Sequence, residues 1–251
     1  MKKVILFSFF IFCIFCKGVF AQSPEEIYRK ANLSYENEDY EKAASLYEAL
    51  INMDRVSYEA FYNLGNSYFK LKKIGKAIVN YERARKLAPR DRDVMLNLKL
   101  ARSMAIDKIE TKERGFLLNS ILFFYDKMNI NELTGMVSII YLAISTLLIF
   151  SIFLVAKRKK ILYTVGTLGA FLVLFAIFLV FKIHNENFVR HAIIISDAVN
   201  VRSGPKDDYL LQFELHEGAK VRIVEETKDW CEINLSKDLR GWLPKDSIEV
   251  I

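Results

Sequence analysis

The rhythm of apolar and polar positions takes four forms in turn along this chain. A run of thirteen mostly apolar residues, Val4 to Cys16, follows a basic start. From residue 24 to about 110, apolar and charged residues mix at helical spacing. Thr134 to Ala156 then gives 23 residues without a charge and Ile161 to Phe181 another 21, with only KRKK (157–160) between them. Beyond residue 190 the period shortens to that of strands. AIIIS, VNVR, LLQFEL, KVRIVEE, WCEINL and GWLPKDSIEV are separated by the turn-forming GPKDD, HEGA, TKD and SKDLR. The pattern predicts a multidomain membrane protein: an all-α region, a pair of spanning helices, and a small all-β barrel at the C-terminal end.

Each uncharged stretch reaches the roughly 20 apolar residues that a helix needs to cross the hydrocarbon core. Four residues can only return the chain directly, so transmembrane helices at 134–156 and 161–182 are expected to form a hairpin about the loop 157–160. Basic loops stay in the cytoplasm, which makes KRKK the cytoplasmic tip and turns both flanks outward. The start of the chain agrees. Residues 1–21 have a basic head, an apolar run and small residues at Val19 and Ala21 before Gln22, the layout of a signal peptide. Cys13 and Cys16 raise lipid attachment as an alternative, against which stand the bulky Phe12 and Phe15 that precede them. Without the leader only Cys231 remains, so no internal disulfide can form.

The composition, 52% hydrophobic with 26% charged, averages over these unlike segments, since the charges lie in 22–115 and 183–251. The net charge of +6 falls to +3 without Lys2, Lys3 and Lys17, and to −1 without KRKK. No basic surface suited to nucleic acid is left.

The outward N-terminal region, 22–112, repeats with a period of 34. Residues 24–57 align with 58–91, setting Tyr28 over Tyr62, Asn32 over Asn66, Tyr35 over Phe69, Ala43 over Ala77 and Tyr47 over Tyr81. In the second copy Phe61, Leu64, Gly65, Tyr68, Ala77, Tyr81, Ala84 and Pro89 complete a pattern that resembles the tetratricopeptide repeat, two antiparallel helices per unit. Small residues let those helices approach and aromatics fill the gap, while Pro89 stops the second helix. The first copy departs from the pattern at Ala31, Ser34 and Arg55. A third unit starts at Arg92 without a second helix and reads as a capping helix over 92–110. Three units or more normally share a continuous core, so this region is expected to need help from a partner or from self-association.

The resemblance implies a concave groove lined by the first helix of each unit, here Tyr28, Asn32, Tyr35, Tyr62, Asn63, Asn66 and Phe69. Either these residues bind a protein segment or several of them pack between repeats. Some relatives clamp a terminal carboxylate with Lys, Asn and Arg. Asn32 and Asn63 fit that pattern, but Tyr28 and Asp93 stand at the Lys positions and Asn97 at the Arg position. An aromatic and amide groove for an extended or helical segment fits better. Between repeat and membrane, residues 113–133 are densely apolar with a partial polar face of Asn119, Ser120, Asp126 and Lys127. They read as an amphipathic helix at the headgroup level or as an extension of the repeat core.

After a linker at 183–189, residues 190–251 carry VNVRSGP (199–205), Glu217-Gly218, Trp230 and Gly241-Trp242, which together resemble the bacterial SH3-like domain. Some relatives bind cell-wall peptide, which makes Arg202, Tyr209, Trp230 and Trp242 candidates for a ligand surface. Alternatively, both tryptophans pack the barrel and its edge. Cys231 shares a face with Ile233 and Leu235 and reads as a small core hydrophobe. Enzymatic chemistry is not expected. His184, His191 and His216 lack partners at metal-ligand spacing, no glycine loop cradles phosphate, and no nucleophile elbow occurs. No cofactor or metal is implied.

The order of parts, with ARSMAIDKIE (101–110) after the repeats, the KRKK hairpin and VNVRSGP, resembles the BatE family of the bacterial aerotolerance operon. That resemblance implies an inner-membrane protein with both domains in the periplasm, beside membrane-anchored von Willebrand A-type proteins and a MoxR-type ATPase. The function to expect is a non-enzymatic adaptor. The alternative is peptidoglycan recognition by the barrel, with the repeats recruiting a partner.

Overall fold

The computed structural model describes residues 23–53, 57–107, 115, 122–123, 125–235 and 239–251. The expected signal peptide, Arg55 and residues 113–114, 116–121 and 124 of the 113–133 segment lie outside these, while the described 122–123 and 125–127 are helical.

Among the described residues, five helices build the repeat region: α1 (Pro24–Glu36), α2 (Tyr40–Asn52), α3 (Tyr58–Lys70), α4 (Ile74–Leu87) and α5 (Arg92–Met104). The period of 34 is kept to the residue. The turns inside the two units place Glu38 and Lys72 in the same left-handed conformation, at φ 61° and 60°. Four of the five helices are capped by their own preceding side chain. Ser23 accepts from the Glu26 N–H, Asp39 from Lys42, Ser57 from Ala60 and Asp91 from Val94. Helix α4 is the exception, because its N-cap residue Lys73 makes no side-chain capping bond. Inside, Ala31, Ala43, Ala77 and Ala101 are fully buried beside Tyr47 and Tyr81. A Cβ on Gly65 would lie 2.7 Å from the Tyr81 ring, so the glycine admits that aromatic.

Two helices, α6 (Ile130–Phe153) and α7 (Arg158–Phe188), are long and apolar enough to cross a membrane. A short 3-10 turn, Val155–Lys157, joins them. Asn129 and Glu132 close a reciprocal capping box at the start of α6. Helix α7 runs on through 183–188, where a linker was expected, because the charge at Lys182 marks the end of the apolar stretch and nothing there breaks a helix. Small residues do not form the seam of the hairpin. Equal distances from the tip suggest that Ser151 should face Gly166, and Ser151 is buried, but a Cβ on Gly166 would meet nothing within 4 Å. The seam is instead bulky and lies far from the tip, where Leu133, Phe175 and Phe178 are buried against Met136, Val137 and Ile140. Lys182 closes that end, donating to the Tyr125 and Met128 carbonyls.

The C-terminal region is one antiparallel seven-stranded sheet: β1 (His191–Ile194), β2 (Ala198–Arg202), β3 (Leu211–His216), β4 (Lys220–Glu226), β5 (Trp230–Asn234), β6 (Arg240–Pro244) and β7 (Ile248–Val250). Its strand order is β3-β2-β6-β5-β4-β1-β7. Alternate residues fill one core, with Val199 and Val201 of β2, Val221 and Ile223 of β4, Cys231 and Ile233 of β5, and Leu243 of β6. Cys231 is 1% exposed, and burial raises its thiol pKa, which keeps it an inert core residue.

Repeat and sheet are not separate bodies. Ile193 of β1 belongs to the same buried cluster as Ile78, Val79 and Tyr81 of α4. Gly75, Ile78, Val79 and Glu82 recur at helical spacing and form the stripe of α4 that meets the sheet. A Cβ on Gly75 would sit 2.4 Å from the Ile194 carbonyl oxygen, and one on Gly218 2.9 Å from Ala105 Cβ. Gly218 also holds φ at +92°, so the turn between β3 and β4 needs its glycine twice over.

Candidate functional site

All seven groove residues expected from the repeat pattern are half-buried on the first helices of their units. The structure shows what the asparagines do. Tyr47 Oη donates to Asn32 Oδ1 at 2.6 Å, and 34 residues later Tyr81 Oη donates to Asn66 Oδ1 at 2.7 Å. Asn63 Nδ2 donates to Tyr28 Oη at 3.3 Å, and again 34 residues later Asn97 Nδ2 donates to Tyr62 Oη at 3.0 Å. Asn97 Nδ2 also reaches Asn66 Oδ1 at 3.0 Å. Burial pushes the Tyr47 and Tyr81 phenols well above their usual pKa, so both stay neutral donors. Tyr28, Tyr62 and Asn63 thus join successive units through this ladder, while Asn32 ties the two helices of the first unit.

The open part of the groove lies further along. Tyr35, Asn66 and Phe69 line a cleft of about 180 Å³ together with Lys70, Tyr81, Asn97 and Leu100. Leu100 was not among the expected residues, although the repeat period identifies it: it stands 34 residues after Asn66. Leu96, which follows Tyr62 by the same period, is 52% exposed and Leu100 51% exposed, so α5 gives the groove an apolar wall. Such a cleft suits an apolar side chain of a partner segment more than an acidic terminus.

On the β domain, three of the four expected residues come together. Arg202 of β2 pairs with Trp242 of β6, and its guanidinium donates to the Tyr209 carbonyl at 3.0 Å. Gly204 lies under the Tyr209 ring, where a Cβ would come within 2.6 Å, which accounts for the glycine of VNVRSGP. On the other side of Trp242 is Glu232 of β5, held by Arg240 at 2.6 Å. Trp230 pairs with Pro244 and so lies on the same outward face, one step from Glu232. Both tryptophans are half-buried. Tyr209, Leu210 and Leu211 extend this face as an exposed apolar edge, and Leu210 is 79% exposed.

The back faces of the two domains are tied by charge. Glu217 Oε1 accepts the Gly75 N–H at 2.8 Å, so the β domain supplies the cap that α4 lacks. Lys72, Lys73 and Lys76 surround Glu217 and Asp197 in a small cleft there. Arg83 donates to Glu249 at 2.7 Å and to the Val250 carbonyl at 2.6 Å. Asp107 accepts from the His216 N–H at 2.6 Å. At the centre Glu82, whose side chain is wholly buried, meets Lys220 at 3.3 Å, Arg85 at 2.8 Å and Arg102. Burial alone would raise the Glu82 pKa, but Lys220, Arg85 and Arg102 lower it to about 2. Sequence reading missed this interface. The signal was Gly75, a glycine in the first turn of a helix where the first copy of the repeat has Glu41. Among the described residues no group of His, Cys, Asp and Glu is arranged to hold a metal.

Comparison with known proteins agrees with this division. Residues 58–91 match the tetratricopeptide repeat model and residues 197–249 the bacterial SH3 domain model. A curated relative from Bacillus subtilis (strain 168), named "Putative N-acetylmuramoyl-L-alanine amidase YrvJ", is 38% identical over 52 residues. The match takes in 21% of this chain and about a tenth of the relative's length. Among solved structures, the first tetratricopeptide domain of Spaghetti (RPAP3), bound to the HSP90 peptide SRMEEVD, is similar at 21% identity and a TM-score of 0.32. That likeness covers 32% of this chain and 64% of the other. The class is therefore a tetratricopeptide and bacterial SH3 protein with two helices able to span a membrane.

Proposed function

We propose that this chain is a non-enzymatic, membrane-anchored adaptor that presents two interaction surfaces on one side of a bilayer. The observation that carries this is the back-to-back packing of the two domains. It uses α4 and the β1, β7 and β3–β4 turn side of the sheet, leaving the groove and the Trp242 face open. Domains that touch must share a side, and a hairpin of two spans puts its flanks on one side. With KRKK in the cytoplasm, that side is the periplasm of a bacterial inner membrane. The resemblance to the BatE family adds von Willebrand A-type proteins and a MoxR-type ATPase as partners, and aerotolerance as the setting.

A second reading, peptidoglycan recognition, is supported by the bacterial SH3 match and by the amidase named above. The Arg202, Tyr209 and Trp242 cluster offers an aromatic surface and a guanidinium to a peptide stem. One experiment separates the two readings. A photo-crosslinking residue is placed at Leu100 in one full-length variant and at Tyr209 in another, in cells making the protein. The adaptor reading expects discrete protein adducts from position 100, lost when Tyr35 and Phe69 are both replaced by Ala. Adducts from position 209 that collapse on muramidase digestion support wall recognition. Absence of a Tyr35- and Phe69-dependent adduct at position 100 contradicts the adaptor reading.

A further inference from the structure

Helix α5 packs on α4 and α3, and the β domain lies against the end of that pair. Three of its contacts fall at or beside the end of α5: Lys220 meets Arg102 through the shared carboxylate of Glu82, Gly218 abuts Ala105, and the His216 N–H reaches Asp107. A fourth, from Glu217, caps α4, the helix on which α5 rests. The middle of α5 builds the groove, through Asn97, bonded to Tyr62 and Asn66, and through exposed Leu96 and Leu100.

We propose that the β domain is the terminal cap of the repeat: seated on α4 and on the end of α5, it holds α5 as a fixed groove wall. The groove is preorganised only while the β domain is seated, so releasing the seat loosens the groove face of α5. This is a conformational device within the chain and does not depend on what fills the groove. Because coupling between sites is reciprocal, whatever clamps α5 from the groove side also tightens the seat.

The test is amide hydrogen exchange on the full-length chain in lipid nanodiscs. Glu217→Ala removes one carboxylate and no core packing, and Lys220→Met removes the inter-domain cation while keeping its apolar stem. In both variants the amides of α5 and of the first turn of α4 should exchange at least ten-fold faster. Strands β2, β5 and β6, remote from the seat, should keep their protection. Unchanged exchange along α5 in both variants overturns the proposal, as does loss confined to the β domain.

Discussion

Replacing Gly75 with alanine is expected to destabilise the protein, although the same change in a free helix would stabilise it. Alanine exceeds glycine in helix propensity by about 0.8–1 kcal/mol, and position 75 is in the first turn of α4. In the docked protein the new methyl group would lie 2.4 Å from the Ile194 carbonyl oxygen and 3.1 Å from Ile195 Cα. Both are backbone atoms of the β domain, so neither can turn aside as a side chain would. Overpacking of this kind typically costs about 1–3 kcal/mol, which exceeds the gain in propensity. The repeat transition should therefore move down by a few degrees, at roughly 2–4 °C per kcal/mol for a chain of this size. Differential scanning calorimetry reads the sign directly. A rise in the midpoint would mean that α4 and β1 are apart in solution.

Loss of the Glu82 carboxylate is the second large effect. Its side chain is fully buried, while those of Arg85 and Arg102 are 42% and 46% exposed and that of Lys220 is 33% exposed. Glu82→Ala leaves three cations facing one another around a cavity. Removing one member of a buried pair costs about 3–5 kcal/mol, and the arginines can partly recover by turning to water, so about 2–4 kcal/mol is expected. The same carboxylate sets an acid limit. Its pKa is about 2 in the folded protein against about 4.5 when exposed. The stability it contributes is complete above about pH 4.5 and is lost as the pH falls from there toward 2. Between pH 5 and 8 this group contributes no change. In Glu82→Gln, which keeps the shape without the charge, the acid-dependent part of the unfolding midpoint should flatten. An acid slope identical to that of the parent chain would assign the limit to other carboxylates.

What could be read in the sequence, and what could not, follows from the range of each interaction. The 34-residue period and the alternation in β2 and β4 are local patterns, and the structure follows them. The groove was legible only in part. Residue type placed Asn32 and Asn63 in it, but their bonds to Tyr47 and Tyr28 bridge helices and have no local signature. The seat of the β domain was not legible, since Glu217 and Gly75 lie 142 residues apart. Glu82 looks like any solvated helix glutamate, and its counterpart in the first copy, Glu48, pairs with Tyr68 instead. Small residues misled the reading of the hairpin because packing at the Phe175 and Phe178 end brings α6 and α7 together through rings.

The central claim, that repeat and β domain form one body on a single side of a membrane hairpin, is tested most directly by labelling single cysteines. Exposed Lys70 in the repeat, Lys206 in the β domain and Lys159 at the tip are each changed to Cys, in a chain lacking Cys13, Cys16 and Cys231. Spheroplasts are then treated with a membrane-impermeant maleimide before and after lysis. Positions 70 and 206 should label fully in intact spheroplasts, and position 159 only after lysis. Labelling of position 206 that requires lysis, while position 70 labels without it, would place the domains on opposite sides and contradict both the hairpin and the seat.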